Sequence, residues 1–236
     1  MKFILSIASA VLILMSCSTS PNNTGSTIPT ESTIPTDSTI PTESTIPTEI
    51  TVTICEQIWS IKNLDVTTYR NGDAIPQVTD ARAWANLTTG AWCYYNNDPA
   101  MGPIYGKLYN WYAVNDVRGL APSGYHVPSD AEWTTSETCL GGASVAGGAM
   151  KEVGTIHWLS PNTGATNSSG FAGLPGGFRY GNGTFSSIGG YGDWWSSTEG
   201  LLTTGAWSRY LYYDRSIVDR NGDYKTNGFS VRCLRD

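Results

Sequence analysis

The chain has 236 residues, and its 20 acidic side chains outnumber the 14 basic ones to give a formal net charge of −6. This balance argues against nucleic acid and anionic membrane surfaces as partners, since both attract basic proteins. The chain also holds nine tryptophans, thirteen tyrosines and 26 glycines. Glycine permits unusual backbone angles and aromatic rings bury large areas, so this composition predicts short strands and long ordered loops rather than helices.

The first residues read as an export signal. Met1-Lys2 is followed by an uncharged, mostly apolar run to Ser16, which predicts a secretory signal peptide over residues 1–16, too short to span a bilayer comfortably. Leu14-Met15-Ser16-Cys17 has the order of a bacterial lipobox, so we expect Cys17 to be lipidated after cleavage. An ordinary signal peptide that contains a cysteine is the alternative. The expected location is the outer membrane, with the lipid as the only membrane contact and the leaflet left open.

A repeat follows. From Ser26 the unit Ser-Thr-Ile-Pro-Thr-Glu occurs four times, with Asp37 replacing glutamate in the second copy. Proline at every sixth position opposes helix and sheet, and the isoleucines are too sparse to form a core. We therefore predict that residues 17–49 form an extended, disordered stalk. Its serine and threonine content is typical of O-glycosylated stalks, and a bare spacer is the alternative.

Residues 50–236 are long enough for one domain with a sizeable core. The predicted elements, in chain order, are a strand at Ile50–Ile54, a hairpin turn at Tyr69–Asp73, a short helix at Ala81–Leu87, aromatic segments at Trp92–Tyr95 and Leu108–Tyr112, a helix at Ser129–Leu140, strands at Arg209–Tyr213 and Ser216–Asp219, a hairpin turn at Asn221-Gly222 and a strand at Phe229–Leu234.

The helix from Ser129 has the strongest local signals. Ser129 and Glu132 have the spacing of a capping box, and Gly141-Gly142 provides a stop. The Asn-Gly pairs favour turns because they tolerate positive φ angles. One convincing helix among many short strands predicts an α+β or mostly-β domain that is rich in loops.

Six ordered motifs carry a family resemblance. They are Trp59-x-x-Lys62-Asn63-Leu64, Tyr105-Gly106-x-Leu108-Tyr109-Asn110-Trp111, Gly124-Tyr125-His126-Val127-Pro128-Ser129, Leu174-Pro175-Gly176-Gly177, Trp194-Trp195-Ser196-Ser197 and Ser230-Val231-Arg232-Cys233. From about Ile54 to Asp236 the chain thus resembles the Fibrobacter succinogenes major paralogous domain of secreted proteins and lipoproteins. That pattern is similar to C-type-lectin-like folds, so the resemblance implies an α+β, C-type-lectin-like domain. Ala121 and Tyr125 depart from the usual cysteine and tryptophan, so family disulfides do not transfer directly.

Four cysteines remain after Cys17, namely Cys55, Cys93, Cys139 and Cys233. In an exported protein this even number suggests two disulfides with three alternative pairings, and four buried free thiols are the other reading. A lectin-like fold joins its helix to its last strand, so the resemblance implies the pairs Cys139–Cys233 and Cys55–Cys93. No Cys-x-x-Cys spacing indicates a zinc site.

The sequence gives little support for catalysis. His126 and His157 are the only histidines, and no Gly-x-Ser-x-Gly elbow accompanies them. We therefore predict that the chain is not an enzyme and needs no cofactor. The alternative is an enzyme related to the formylglycine-generating domains, which resemble the same fold and use paired redox cysteines.

Ligand contacts are expected from aromatic rings and loop oxygens. Trp194 and Trp195 are adjacent, so on a strand one ring points inward and the other outward. We predict that the outward one of Trp194 and Trp195 forms a sugar-stacking surface with Trp207 and Tyr180. The alternative is that these rings are structural and belong to the core. We predict no metal site. The alternative comes from the resemblance, since lectin-like folds often hold calcium in a long loop, where Asn167, Asp193 and Glu199 could contribute oxygens.

These observations predict a lipid-anchored, exported binding or adhesion module. Its expected partner is a glycan or an extracellular protein. A structural envelope component without a small ligand is a further alternative.

Overall fold

The computed structural model describes residues 50–236, so the predicted signal peptide, Cys17 and the predicted stalk lie outside the described residues. The helices are α1 (Ala81–Ala85), α2 (Gly102–Tyr105), α3 (Trp111–Val114), α4 (Asp130–Cys139) and α5 (Ala143–Met150). The strands are β1 (Thr51–Ile54), β2 (Gln57–Ser60), β3 (Trp92–Cys93), β4 (Leu108–Asn110), β5 (Tyr125–His126), β6 (Phe178–Arg179), β7 (Phe185–Ser186), β8 (Tyr191–Glu199), β9 (Gly205–Tyr212), β10 (Val218–Tyr224), β11 (Gly228–Phe229) and β12 (Leu234–Arg235). Within residues 50–236, no helix is both long and apolar enough to cross a membrane.

The strands of the described region form three sheets. Their orders are β1-β2-β12-β5, β3-β4-β11-β6-β7 and β10-β9-β8. Neighbouring strands in these sheets run antiparallel. Antiparallel sheets with a few separate helices make a mixed α+β fold, as the sequence predicted.

Helix α4 begins where the local sequence predicted. The Ser129 hydroxyl accepts the Glu132 amide, and the Glu132 carboxylate accepts the Ser129 amide at 2.7 Å, which completes the capping box. The helix ends before Gly141, whose φ of +100° suits glycine. Its inner face packs on the β1–β2 hairpin through Trp133, with a ring-centroid distance of 4.6 Å to Trp59.

Two predicted elements at the C-terminal end are wrong. Asn221 and Gly222 lie inside β10, paired with Ser208 and Trp207, because β9 offers a partner along this whole stretch. The predicted strand Phe229–Leu234 is divided into β11 and β12. In the gap, the backbone groups of Ser230, Val231 and Cys233 bond to three separate segments, at Asp193, Leu64 and Ser60, and not to one neighbouring strand.

The buried ammonium group of Lys151 holds loop segments together. Lys151 is completely buried, and burial lowers the pKa of its ammonium to about 8. Its ammonium donates at 2.7–2.9 Å to three backbone carbonyls, those of Thr163, Tyr212 and Arg215. This side chain therefore ties two segments together, the loop at Thr163 and the end of β9 with the turn that follows it.

Candidate functional site

The disulfide joins Cys55 to Cys139, so both predicted pairings are wrong. Cys55 lies in the turn between β1 and β2, and Cys139 ends α4, which packs on that hairpin. The Gln57 side chain reinforces this contact by donating to the Glu132 carbonyl. Cys233 is buried in the core, where its amide donates to the Ser60 hydroxyl. The hairpin-to-helix packing, rather than a helix-to-last-strand link, determines the pairing.

Trp194 and Trp195 do not form a binding surface. Their exposed fractions are 1% and 0%. Trp194 packs in a cluster with Trp59 and Phe171, whereas Trp195 packs against Phe229 on the other face of β8. The prediction that one of these two rings points outward is wrong because β8 is covered on both faces, and both tryptophans belong to the core, as in the structural alternative.

The other two predicted rings lie on different sheets. Tyr180 is 45% exposed beside β6, and its ring packs edge-on against Phe178. Trp207 lies in β9, where it is half-buried and lines a surface cleft. Of the predicted aromatic residues, Trp207 is therefore the one that the structure places in a candidate site.

The cleft lies between the β8–β9 loop and the end of β10, and its volume is about 350 Å³. Leu201 and Leu202 are 89% and 73% exposed on the loop side, and Tyr224 is 69% exposed on the strand side. With Trp207 they give the cleft a mainly apolar lining. These three residues were not predicted from the sequence, although the pair Leu201-Leu202 beside Gly200 is an unusual sequence for a polar hairpin loop.

Arg220 and Gly222 of β10 border the Trp207 ring. The Arg220 guanidinium lies over the ring, 3.3 Å from its centroid, and is fixed by two 2.8 Å hydrogen bonds to the Asp130 carboxylate. Gly222 is the register partner of Trp207 and leaves one edge of the ring open. A Cβ at Gly222 would lie 3.8 Å from the ring, at ordinary contact distance.

The described sequence matches one family model, the Fibrobacter succinogenes major domain, over residues 52–235. The chain belongs to this family. The match spans the six motifs quoted above and the residues of the cleft. No curated protein and no solved structure matches the chain.

In this Fibrobacter succinogenes major domain the predicted calcium ligands do not form one site. Asp193 and Glu199 stand at opposite ends of β8, about 20 Å apart at the usual strand rise. Glu199 forms an ion pair with Lys225, and the Asn167 side chain accepts the Ala172 amide. Residues 50–236 contain no group of three or more histidine, cysteine, aspartate or glutamate side chains that could hold a metal ion.

Asp193 is an unusual core residue. Its side chain is completely buried, and neither carboxyl oxygen has a hydrogen-bond partner among the described residues. Burial, with a smaller contribution from the negative charge of Asp223, raises the pKa of Asp193 well above its usual range. We therefore expect a neutral carboxylic acid at this position in the folded domain.

The side chains that acid–base or thiol chemistry would need are already engaged. His126 contacts Glu132 through Nε2 at 2.9 Å and Asp236 through Nδ1 at 2.7 Å. Burial opposes protonation, but the hydrogen bonds to the two carboxylates raise the pKa of His126 overall. Burial also raises the pKa of the Cys93 thiol to about 12. An imidazole with both nitrogens in hydrogen bonds is a poor general base, and a thiol whose pKa burial raises is a poor nucleophile.

Proposed function

We propose that this protein is an exported, lipid-anchored binding module whose partner is an extended segment of an extracellular protein docked in the cleft at Trp207. The observation that carries the proposal is the pair of highly exposed leucines, Leu201 and Leu202, beside a half-buried tryptophan. Burying a leucine side chain contributes roughly 1.5–3 kcal/mol. A partner that covers both leucines therefore gains several kcal/mol before any hydrogen bond forms.

A binding role agrees better with the chemistry than an enzymatic one. The engaged His126 and the protonated Cys93 support a protein without catalysis. An enzyme related to formylglycine-generating domains would use reactive paired cysteines, and Cys55 is instead joined to Cys139. We also propose that the α+β frame is of the C-type-lectin-like type, which the long ordered loops on short antiparallel strands support.

A glycan is the second candidate ligand. Trp207 and Tyr224 present aromatic surface, and sugar rings have apolar faces that stack on such side chains. The mainly apolar lining provides few hydrogen-bonding groups for sugar hydroxyls, and this favours the protein segment.

The proposal is tested by comparing the peptide and glycan binding of the protein with that of a cleft variant and a control variant. The chain from residue 17 on, with Cys17→Ser, would be applied to an array of twelve-residue peptides and to a glycan array. We expect saturable peptide binding that Leu201→Ser/Leu202→Ser weakens at least tenfold. Val117→Ser, which removes another fully exposed apolar residue, should leave binding unchanged.

The glycan array separates the two ligand classes. Binding to glycans alone, lost in Leu201→Ser/Leu202→Ser, would replace the protein ligand by a sugar. Binding that both variants leave intact, or that Val117→Ser weakens equally, would refute the cleft as the binding site.

A further inference from the structure

The outer edge of β10 is open beside the cleft. β10 is the terminal strand of its sheet, with β9 as its only strand neighbour in the described region. The Lys225 amide donates to the Thr204 carbonyl, one step beyond the paired residues Tyr224 and Gly205. Because hydrogen-bonding direction alternates along a strand, Asp223 also faces β9.

The same alternation identifies the groups that face outward. If Asp223 faces β9, the amide and carbonyl of Gly222 face away from the sheet, and so do those of Arg220. Within residues 50–236, no backbone group forms a hydrogen bond with them on that side. They form a two-residue template for an added strand.

Gly222 also determines where an added side chain would lie. In an antiparallel pair, directly opposed residues place their side chains on the same face of the sheet. Gly222 shares its face with Trp207, its register partner. A side chain opposite Gly222 would therefore cross the space that glycine leaves empty and enter the cleft.

The N-terminal repeat has a sequence that matches this edge. The repeat has six residues, an even number, so its isoleucines, from Ile28 to Ile46, all have even residue numbers. Its prolines, from Pro29 to Pro47, all have odd residue numbers. Residues of one parity direct their amides to one side of a strand. If the repeat pairs as a strand, one of its edges would therefore consist of serine, isoleucine and threonine without proline. The prolines would face the other edge, where a missing amide is harmless.

We propose that the repeat of a second copy of this chain adds as an antiparallel strand to β10, with an isoleucine opposite Gly222 and its side chain in the cleft. This assignment rests on the proposed use of the cleft as a docking site. Each chain then offers four equivalent isoleucine-containing segments and one cleft. Such head-to-tail contacts would link neighbouring chains into larger assemblies.

A synthetic peptide tests the pairing rule. The peptide Ser32–Glu43 carries two copies of the repeat, and its control exchanges each Pro-Thr for Thr-Pro. This exchange keeps length, composition, charge and isoleucine spacing. It moves each proline to an even-numbered position, where the backbone amide would have to donate to β10. Both peptides would be added to the chain from residue 17 on, with Cys17→Ser and the same exchange in all four of its own repeats.

Amide hydrogen exchange at Arg220 and Gly222 is the readout. At saturation the native peptide should slow exchange of these amides at least tenfold, and the control peptide should not. Gly222→Val fills the space above the strand without changing the edge and should weaken native-peptide binding at least tenfold, whereas Val117→Ser should not. Equal protection by both peptides, or protection elsewhere on the domain, would overturn the proposal.

Self-association of the chain tests whether the repeat that binds β10 comes from a second copy. With native repeats, protection of Gly222 and the average mass should rise together with concentration, and both effects should vanish when the repeats are exchanged. Protection in dilute solution that does not depend on concentration would overturn the second-copy assignment. If the native peptide has no effect while array ligands still bind through Leu202, the repeat is refuted as occupant and the proposed function stands.

Discussion

Replacing Asp193 by asparagine should remove a pH-dependent loss of stability. The folded domain holds Asp193 neutral in the core, because its oxygens are buried without partners and its pKa is raised. In the unfolded chain an aspartate ionises near pH 4. Between these two pKa values the folded state binds one proton more, so the free energy of unfolding decreases as pH rises.

The magnitude follows from proton linkage. As long as folded Asp193 keeps its proton, the free energy of unfolding falls by up to about 1.4 kcal/mol per pH unit through this group. From pH 5 to pH 7 that amounts to as much as about 3 kcal/mol. Asparagine has nearly the same shape and does not titrate, so the stability of Asp193→Asn relative to the wild type should increase over this interval.

Urea unfolding at pH 5, 6 and 7 provides the measurement, with the chain from residue 17 on. Asp214→Asn, at an exposed aspartate after β9, controls for the loss of a negative charge. His126 is unchanged in all variants, so its contribution cancels in the differences. A difference between Asp193→Asn and wild type that stays constant or shrinks from pH 5 to pH 7 would refute a neutral Asp193.

Three further predictions concern the disulfide, the buried lysine and the anchor. Cys139→Ser should lower the free energy of unfolding by roughly 2–5 kcal/mol, because the bridge closes a long loop with a sequence separation of 84 residues; added reductant should then have no further effect, and an undiminished stability would contradict the bridge. Lys151→Met should cost roughly 3 kcal/mol in urea unfolding, since it leaves three partly buried carbonyls without their donor; a neutral effect would show that the loops do not depend on this ammonium. Cys17→Ser should abolish labelling by radioactive palmitate in the producing cell, and persistent labelling would contradict lipidation at that residue.

The sequence predicted the elements whose causes are local. The capping box of Ser129 and Glu132 and the glycine stop at Gly141 involve neighbours in the chain, and α4 begins and ends accordingly. The turn at Tyr69–Asp73 also forms, closed by the hydrogen bond from the Tyr69 amide to the Asp73 carbonyl. The family resemblance was confirmed because its six motifs are spread over the whole folded region.

Predictions that depended on distant contacts failed. Alternation along β8 correctly separates Trp194 from Trp195, but only the packing on both sides shows that neither ring reaches solvent. The Asn221-Gly222 pair has turn chemistry, and the ladder with β9 overrides it. Helix α5 was missed because its glycines read as loop. A side chain at Gly147 would collide with the Ile217 carbonyl, so the glycine serves close packing rather than flexibility.

The proposed binding site could be predicted only in part from the sequence. Trp207 was chosen as one of several aromatic residues, and nothing local distinguished it from the buried ones. Its role depends on Gly222, which is fifteen positions away in the chain and directly opposite in the sheet. The exposed Leu202 lies in a loop whose apolar character was readable, but the cleft becomes evident only when β10 is placed beside that loop.

Mapping a bound ligand by nuclear magnetic resonance shows directly whether the cleft at Trp207 is the binding site. The isotopically labelled chain from residue 17 on, with Cys17→Ser, would be titrated with the strongest peptide from the array. We predict that chemical-shift changes concentrate at Leu202, Trp207 and Gly222 and disappear in Leu201→Ser/Leu202→Ser. Changes concentrated instead around Tyr112, which lines a second cleft on the domain, would contradict binding at Trp207.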